Sequence, residues 1–175
     1  MNIDKVSIGV NPPWDINVVI EIPMGGHPVK YEIDKSSGAL FVDRFLHTAM
    51  YYPANYGFVP HTLSEDGDPI DVMVLGQVPV IPGCVMRSRP VGALVMEDES
   101  GPDEKIIAVP VVELHPYYAD IASYKDLPPV LLDQISHFFQ HYKDLEPTKW
   151  VTMGGWRDPQ DTARLVEAAI QRAGQ

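Results

Sequence analysis

The sequence predicts an α+β domain, mainly β: a small twisted β-barrel flanked by two helices in the last third of the chain. Three observations carry that expectation. Short Val- and Ile-rich runs fill the first two-thirds and are separated by Gly and Pro turns. The 17 prolines punctuate short strands well and long helices poorly. After Pro128-Pro129 the apolar residues change to helical spacing.

Residues 16–22 (INVVIEI) supply the first expected strand, followed by 29–33 (VKYEI), 39–42 (ALFV) and 70–75 (IDVMVL). Two longer runs, 85–96 and 105–113 (KIIAVPVVE), complete the set. Turns such as Pro23-Met24-Gly25-Gly26 and Ser36-Ser37-Gly38 separate them. The first helix follows Pro128-Pro129, with Leu131, Leu132, Ile135, Phe138, Phe139 and Tyr142 along one face. A second opens at Asp158-Pro159, an N-cap followed by an N1 proline, with Leu165, Val166, Ala169 and Ile170 together. No repeat, linker or low-complexity stretch interrupts the chain, so residues 1–175 are expected to form one domain.

A chain of 175 residues is long enough to bury a real core, and 45% hydrophobic with 21% charged residues is ordinary globular usage. Lys plus Arg number 13 against 24 Asp plus Glu, a formal net charge of −11. No basic run is present, which argues against nucleic acid and anionic membrane surfaces as partners. Cys84 is the one cysteine, so an intramolecular disulfide is impossible; it reads as a small packing residue. The opening MNIDKVSIGVNPPWD lacks a basic segment followed by an apolar one, and no apolar run approaches the roughly 18 residues of a membrane span. A reducing, cytoplasmic setting is expected.

The carboxylates cluster. One group is Ser64-Glu65-Asp66-Gly67-Asp68-Pro69-Ile70-Asp71, and another runs from Glu97 to Glu104. Both are expected at strand–loop junctions. Asp66 and Asp68, two apart, would project to one side of an extended segment, and Asp71 would open an apolar strand. An acid at the mouth of a buried strand is costly unless a positive charge meets it. Hard oxygen ligands this close suit Mg²⁺ or Ca²⁺ and not zinc. A solvated turn explains the first string as well, and a solvated loop the second. An EF-hand is excluded: with Asp66 as position 1, Ile70, Asp71 and Gln77 fall where an oxygen ligand, a glycine and a glutamate are needed.

Cations and phenols accompany these acids. Lys30 and Glu32 share one side of their strand, with Glu21 on the strand before; Asp43-Arg44-Phe45 follows an apolar run; Tyr51 to Gly57 holds several phenols. Singly these read as cross-strand pairs and packing aromatics. Together they read as a barrel mouth, with carboxylates for cations and Lys, Arg and Tyr donors for an anion. His137 and His141 have the spacing of a helical metal pair but no His-Glu-x-x-His arrangement, so a polar face or subunit contact is preferred. No Gly-x-Ser-x-Gly elbow and no P-loop is present.

Asp66-Gly67-Asp68-Pro69-Ile70-Asp71-Val72 resembles the signature of the family I soluble inorganic pyrophosphatases, short prokaryotic type. Further segments resemble that family in its own order: Val19 to Pro23, Lys30 to Asp34, Gly38 to Arg44, Tyr52 to Gly57, Arg89 to Gly92, His137 to Leu145 and Gly154-Gly155-Trp156. The resemblance implies a five-stranded OB-like barrel with flanking helices, and a homohexamer. It implies Asp66, Asp71 and Asp103 as principal metal ligands, Asp98 as a further one, Glu21 for an additional metal, and Asp68 as base toward the nucleophilic water. Lys30, Arg44, Tyr56, Lys105, Tyr142 and Lys143 match phosphate-contacting positions, and Glu32 and Tyr52 supporting ones.

The implied function is Mg²⁺-dependent hydrolysis of pyrophosphate to two orthophosphates, with several ions per site and Mn²⁺ or Zn²⁺ as substitutes. Bound metal makes hydroxide-like water available and neutralises the substrate's charge. Positioning and charge stabilisation then matter more than covalent help. The competing reading is an OB-like module that binds divalent cations or phosphate without catalysis; a pure ion buffer has no need of Lys30, Arg44 and Lys143.

Overall fold

The computed structural model describes residues 2–174. In chain order the described residues form β1 (Ile16–Ile22), β2 (Val29–Ile33), β3 (Leu40–Phe45), β4 (Asn55–Phe58), β5 (Asp71–Val74), β6 (Val85–Asp98) and β7 (Gly101–Pro110). Then come α1 (Pro129–His141), β8 (Val151–Arg157) and α2 (Pro159–Ala173).

β1 pairs with both β4 and β6, β4 with β5, β5 with β7, and β7 with β6, so the sheet closes in a ring of five strands. Only the β5–β7 pairing in this ring is parallel. With two helices beside it, the ring has the expected OB-like organisation. Its membership differs from the sequence expectation. Residues 29–33 and the strand beginning at Leu40 lie outside the ring, as a separate antiparallel pair. β4 takes a place within it, and β8 extends it from β6.

Alternation along the ring strands feeds two cores. Met73 and Ile107 join Ile22, Leu94, Met96 and the α1 residues Ile135, Phe138 and Phe139. Their neighbours Val72, Val74, Ile106 and Ala108 join Val18, Ile20 and the α2 residues Val166 and Ala169. Burial on both faces explains why β5 and β7 read as nearly continuous apolar runs. Each large apolar side chain so buried is worth about 1.5–3 kcal/mol. Cys84 packs against the α2-side core, and burial pushes its thiol up, in keeping with a packing role.

Both helices start as the sequence requires. Pro129 opens α1, and the Asp158 carboxylate accepts from the backbone N–H groups of Gln160 and Asp161, both at 3.0 Å. Gly57 shows how tightly β4 meets β1: a Cβ there would lie 1.9 Å from the Val19 carbonyl oxygen. Only glycine permits that approach.

Candidate active site

The ladders bring opposite charges together at one end of the ring. Asp71 and Lys105 are register partners across β5 and β7, so the Lys105 ammonium lies 2.5 Å from Asp71 Oδ2. Asp103, two residues earlier on β7 and on the same side, meets that ammonium at 2.7 Å. Lys30 and Arg44 are partners across β2 and β3, which sets two cations side by side. Asp43 stands 3.2 Å from Lys30 and 3.7 Å from Arg44.

Asp66 and Asp68 reach the site differently from the sequence expectation of an extended segment. They sit in a turn between β4 and β5: Asp68 N donates to Asp66 Oδ1 at 3.1 Å, and Gly67 adopts φ +95°. That left-handed conformation suits glycine, and the side-chain bond forms an Asx turn. The second acidic cluster is not a loop either. β6 runs to Asp98 and β7 begins at Gly101, so Glu99 and Ser100 are the tip of a tight hairpin. Asp98 and Asp103 are both buried.

A cleft of about 180 Å³ collects these groups. Glu21 comes from β1, Lys30 and Glu32 from β2, and Arg44 from β3. Tyr52 precedes β4 and Tyr56 lies on it; Asp66 and Asp68 come from the turn and Asp71 from β5. Asp98, Asp103 and Lys105 come from the β6–β7 hairpin, and Tyr142 and Lys143 from the turn after α1. Every site residue expected from the sequence therefore lines one cavity. Lys35, Glu99 and Lys149 also line it, unforeseen. Lys35 lies 3.5 Å from Asp68, and Lys149 3.1 Å from Glu99. Glu99 belongs to the second acidic cluster of the sequence, whereas nothing in the local sequence marks Lys35 and Lys149; tertiary folding delivers them.

Burial and charge set the protonation states. Glu21 is enclosed while its Oε1 accepts from Ile33 N at 2.7 Å; burial dominates and pushes its carboxyl up to about 8. Burial likewise raises Asp103, against the opposing Lys105 charge. Burial alone would discharge Lys105, but the carboxylates of Asp71 and Asp103 outweigh it and raise its pKa well above the ordinary lysine range. Burial also opposes ionisation of Asp98, yet Lys143 at 2.6 Å and the Ser100 N–H hold its carboxyl below the usual range. Tyr52, Tyr56 and Tyr142 are raised by burial and so remain neutral donors.

Eight acidic and six basic side chains face the cleft; with burial holding Glu21 protonated at neutral pH, seven acids stand against six cations, an excess of one negative charge. The available donors are hard oxygens, the set that suits Mg²⁺. Among the described residues no three acidic, histidine or cysteine side chains converge closely enough to enclose an ion. Lysine ammonium groups stand against the carboxylates instead. His137 and His141 lie outside the cleft with ring centroids 4.5 Å apart, and His141 Nδ1 is 2.7 Å from Asp144.

Comparison with known proteins agrees with this architecture. The family model for inorganic pyrophosphatase matches residues 18–174. An inorganic pyrophosphatase of Caulobacter vibrioides is 62% identical over 172 residues, covering 98% of this chain and 97% of that protein. The crystal structure of an inorganic pyrophosphatase from Thermus thermophilus superposes with a TM-score of 0.94 at 41% identity, covering 100% of both chains. An inorganic pyrophosphatase structure from Coxiella burnetii gives 0.92 at 55% identity, over 95% of this chain and 99% of that one.

Proposed function

Because the chain belongs to the inorganic pyrophosphatase family, we propose that it hydrolyses pyrophosphate to two orthophosphates in a Mg²⁺-dependent reaction. The observation that carries this reading is the mixed charge of a single cleft. Its acids exceed its bases by two, while Lys30, Arg44, Lys105 and Lys143 all line it. A fully acidic pocket would repel pyrophosphate, and a fully basic one would have no use for eight acidic side chains on neighbouring strands and turns.

In this reading Asp66, Asp71, Asp98 and Asp103 would hold the metal ions and Glu21 would help hold an additional one. Bound there, the ions would lower the pKa of water and neutralise phosphate oxygens; Mn²⁺ or Zn²⁺ would serve as substitutes. Asp68, at 72% side-chain exposure, is open to a water molecule, orients it and takes its proton. The water oxygen bonds to one phosphorus in line as the bridging P–O bond breaks. Lys30, Arg44, Lys105 and Lys143 clamp the two phosphates, and the neutral phenols of Tyr56 and Tyr142 donate to them. Glu32 and Tyr52 support the walls between these groups. The family resemblance supports a cytoplasmic homohexamer. No helix among the described residues is long and apolar enough to cross a membrane.

Phosphate release measured against pyrophosphate consumed tests the reaction type. Two orthophosphates per pyrophosphate is the expected stoichiometry. Binding without turnover would leave a module for cations or phosphate in place of the enzyme.

A further inference from the structure

Glu146 is a buried carboxylate, at 9% of full exposure, that stands outside the lining of the cleft. It lies on the turn after α1 that also carries Tyr142 and Lys143, and its N–H donates to the Lys143 carbonyl at 2.9 Å. Two bonds fasten this turn to the segment following β3. His47 Nδ1 lies 3.1 Å from the Leu145 carbonyl oxygen, and Thr48 Oγ1 donates to the Tyr142 carbonyl at 3.3 Å.

Across that junction Glu146 Oε2 lies 3.3 Å from Arg44 Nε. Arg44 is the one ion-pair partner of Glu146 among the described residues. The contact is not aligned as a hydrogen bond, and both Arg44 Nε and Glu146 Oε1 are buried with no hydrogen-bond partner among the described residues. A buried carboxylate persists only beside a positive charge, so Arg44 is the reason Glu146 tolerates this position. The reverse also holds. With Nε beside Glu146 and Nη1 3.7 Å from Asp43, two edges of the guanidinium face carboxylates. Nη2 makes no ion pair or hydrogen bond among the described residues, and Arg44 lines the cleft.

We propose that Glu146 is a positioning residue, holding the Arg44 guanidinium in the orientation that meets an anionic substrate's phosphate group. This rests on the assignment of Arg44 as a phosphate contact. A guanidinium is a planar fork whose value to a phosphate depends on the direction of its plane. A charge fixed behind it supplies that direction more firmly than the side chain's own rotamers. Because Glu146 shares its turn with Tyr142 and Lys143, the same contact keeps the Arg44 cation of β3 in register with Lys143 beyond α1.

The test compares Glu146→Gln, Glu146→Asp, Arg44→Ala and the double variant Arg44→Ala/Glu146→Gln in the full-length protein, with Mg²⁺ and pyrophosphate. Glu146→Gln is expected to raise KM about tenfold with a much smaller change in kcat. Glu146→Asp should recover part of that loss. The double variant should show the KM of Arg44→Ala alone, because the two residues act as one unit. An unchanged KM in Glu146→Gln overturns the proposal, as does multiplication of the two effects in the double variant. A lowered melting temperature and kcat with normal KM would assign Glu146 a structural role instead. Where Glu146→Gln does not fold, Glu146→Asp carries the KM comparison. Normal KM in Arg44→Ala would remove Arg44 from substrate contact and the proposal with it, whereas absence of turnover in the parent protein would overturn the hydrolase reading first.

Discussion

Replacing Glu21 by glutamine in the metal-free protein should make it more stable, and increasingly so as pH rises. The Glu21 carboxyl titrates near 8 in the folded chain against an ordinary value of 4.5, with burial the main cause. Below pH 4.5 it is protonated in both states and contributes nothing. Between 4.5 and 8 the unfolded chain releases a proton that the folded chain retains, so stability falls as pH rises through that window. At about 1.4 kcal/mol per decade, the full penalty above pH 8 is about 5 kcal/mol. The glutamine carbonyl can still accept from Ile33 N, so the substitution removes the charge and keeps the 2.7 Å bond to β2. Urea denaturation in EDTA at fixed protein concentration, at pH 5 and pH 8.5, measures the difference between Glu21→Gln and the parent. That difference should grow by about 4 kcal/mol between the two pH values. An equal difference at both would refute the reasoning, because it would mean that Glu21 is already ionised at pH 5 in the folded protein.

Asp68→Asn should still bind Mg²⁺ by calorimetry while losing about 3–4 kcal/mol of barrier lowering, seen as a fall in kcat of several hundredfold or more; near-normal kcat would remove Asp68 from the role of base. Asp71→Ala should raise the Mg²⁺ concentration needed for half-maximal activity, and an unchanged metal titration would count against ligation there. Gly57→Ala should cost at least about 3 kcal/mol in denaturant unfolding, since its Cβ would meet the Val19 carbonyl oxygen at 1.9 Å; a loss under about 1 kcal/mol would show that β1 and β4 separate easily.

Particular residues show where sequence reasoning reached and where it stopped. β1, β5, β6 and β7 were plain because their Val and Ile runs are buried on both faces. β4 was hidden: Asn55-Tyr56-Gly57-Phe58 is short, follows a proline and reads as a turn. Its strand character comes from two neighbours, β1 and β5, that lie far away in sequence. β8 was hidden by Gly154-Gly155, with Gly155 at φ +85° near a register shift in its pairing with β6. The third expected strand ended at Val42 because Asp43 and Arg44 follow; in the fold β3 continues through both, with Leu40, Phe41, Val42 and Phe45 exposed.

The site divides in the same way. Asp66, Asp68 and Asp71 carry a local signal, because Gly67 and Pro69 shape the chain around them. The pairing of Lys105 with Asp71 follows from the register of a parallel ladder that no local pattern encodes. Lys35, Lys149 and Glu146 have ordinary surroundings in sequence and acquire their roles from charges brought near by folding. The net charge of −11 illustrates the point: as composition it speaks of partners excluded, and as placement it describes a cleft whose acidic side chains outnumber its basic ones, eight to six. Mg²⁺ in that cleft would reverse the local sign for an anionic substrate.

The central claim is that this cleft hydrolyses pyrophosphate only when divalent cations fill its carboxylates. Phosphate release from pyrophosphate, measured with Mg²⁺, without added metal, and with Mg²⁺ plus excess EDTA, tests it directly. Rapid release with Mg²⁺ that disappears in EDTA and returns on adding excess Mg²⁺ is the predicted result. Release that persists in EDTA, or no release with any divalent metal, would contradict it.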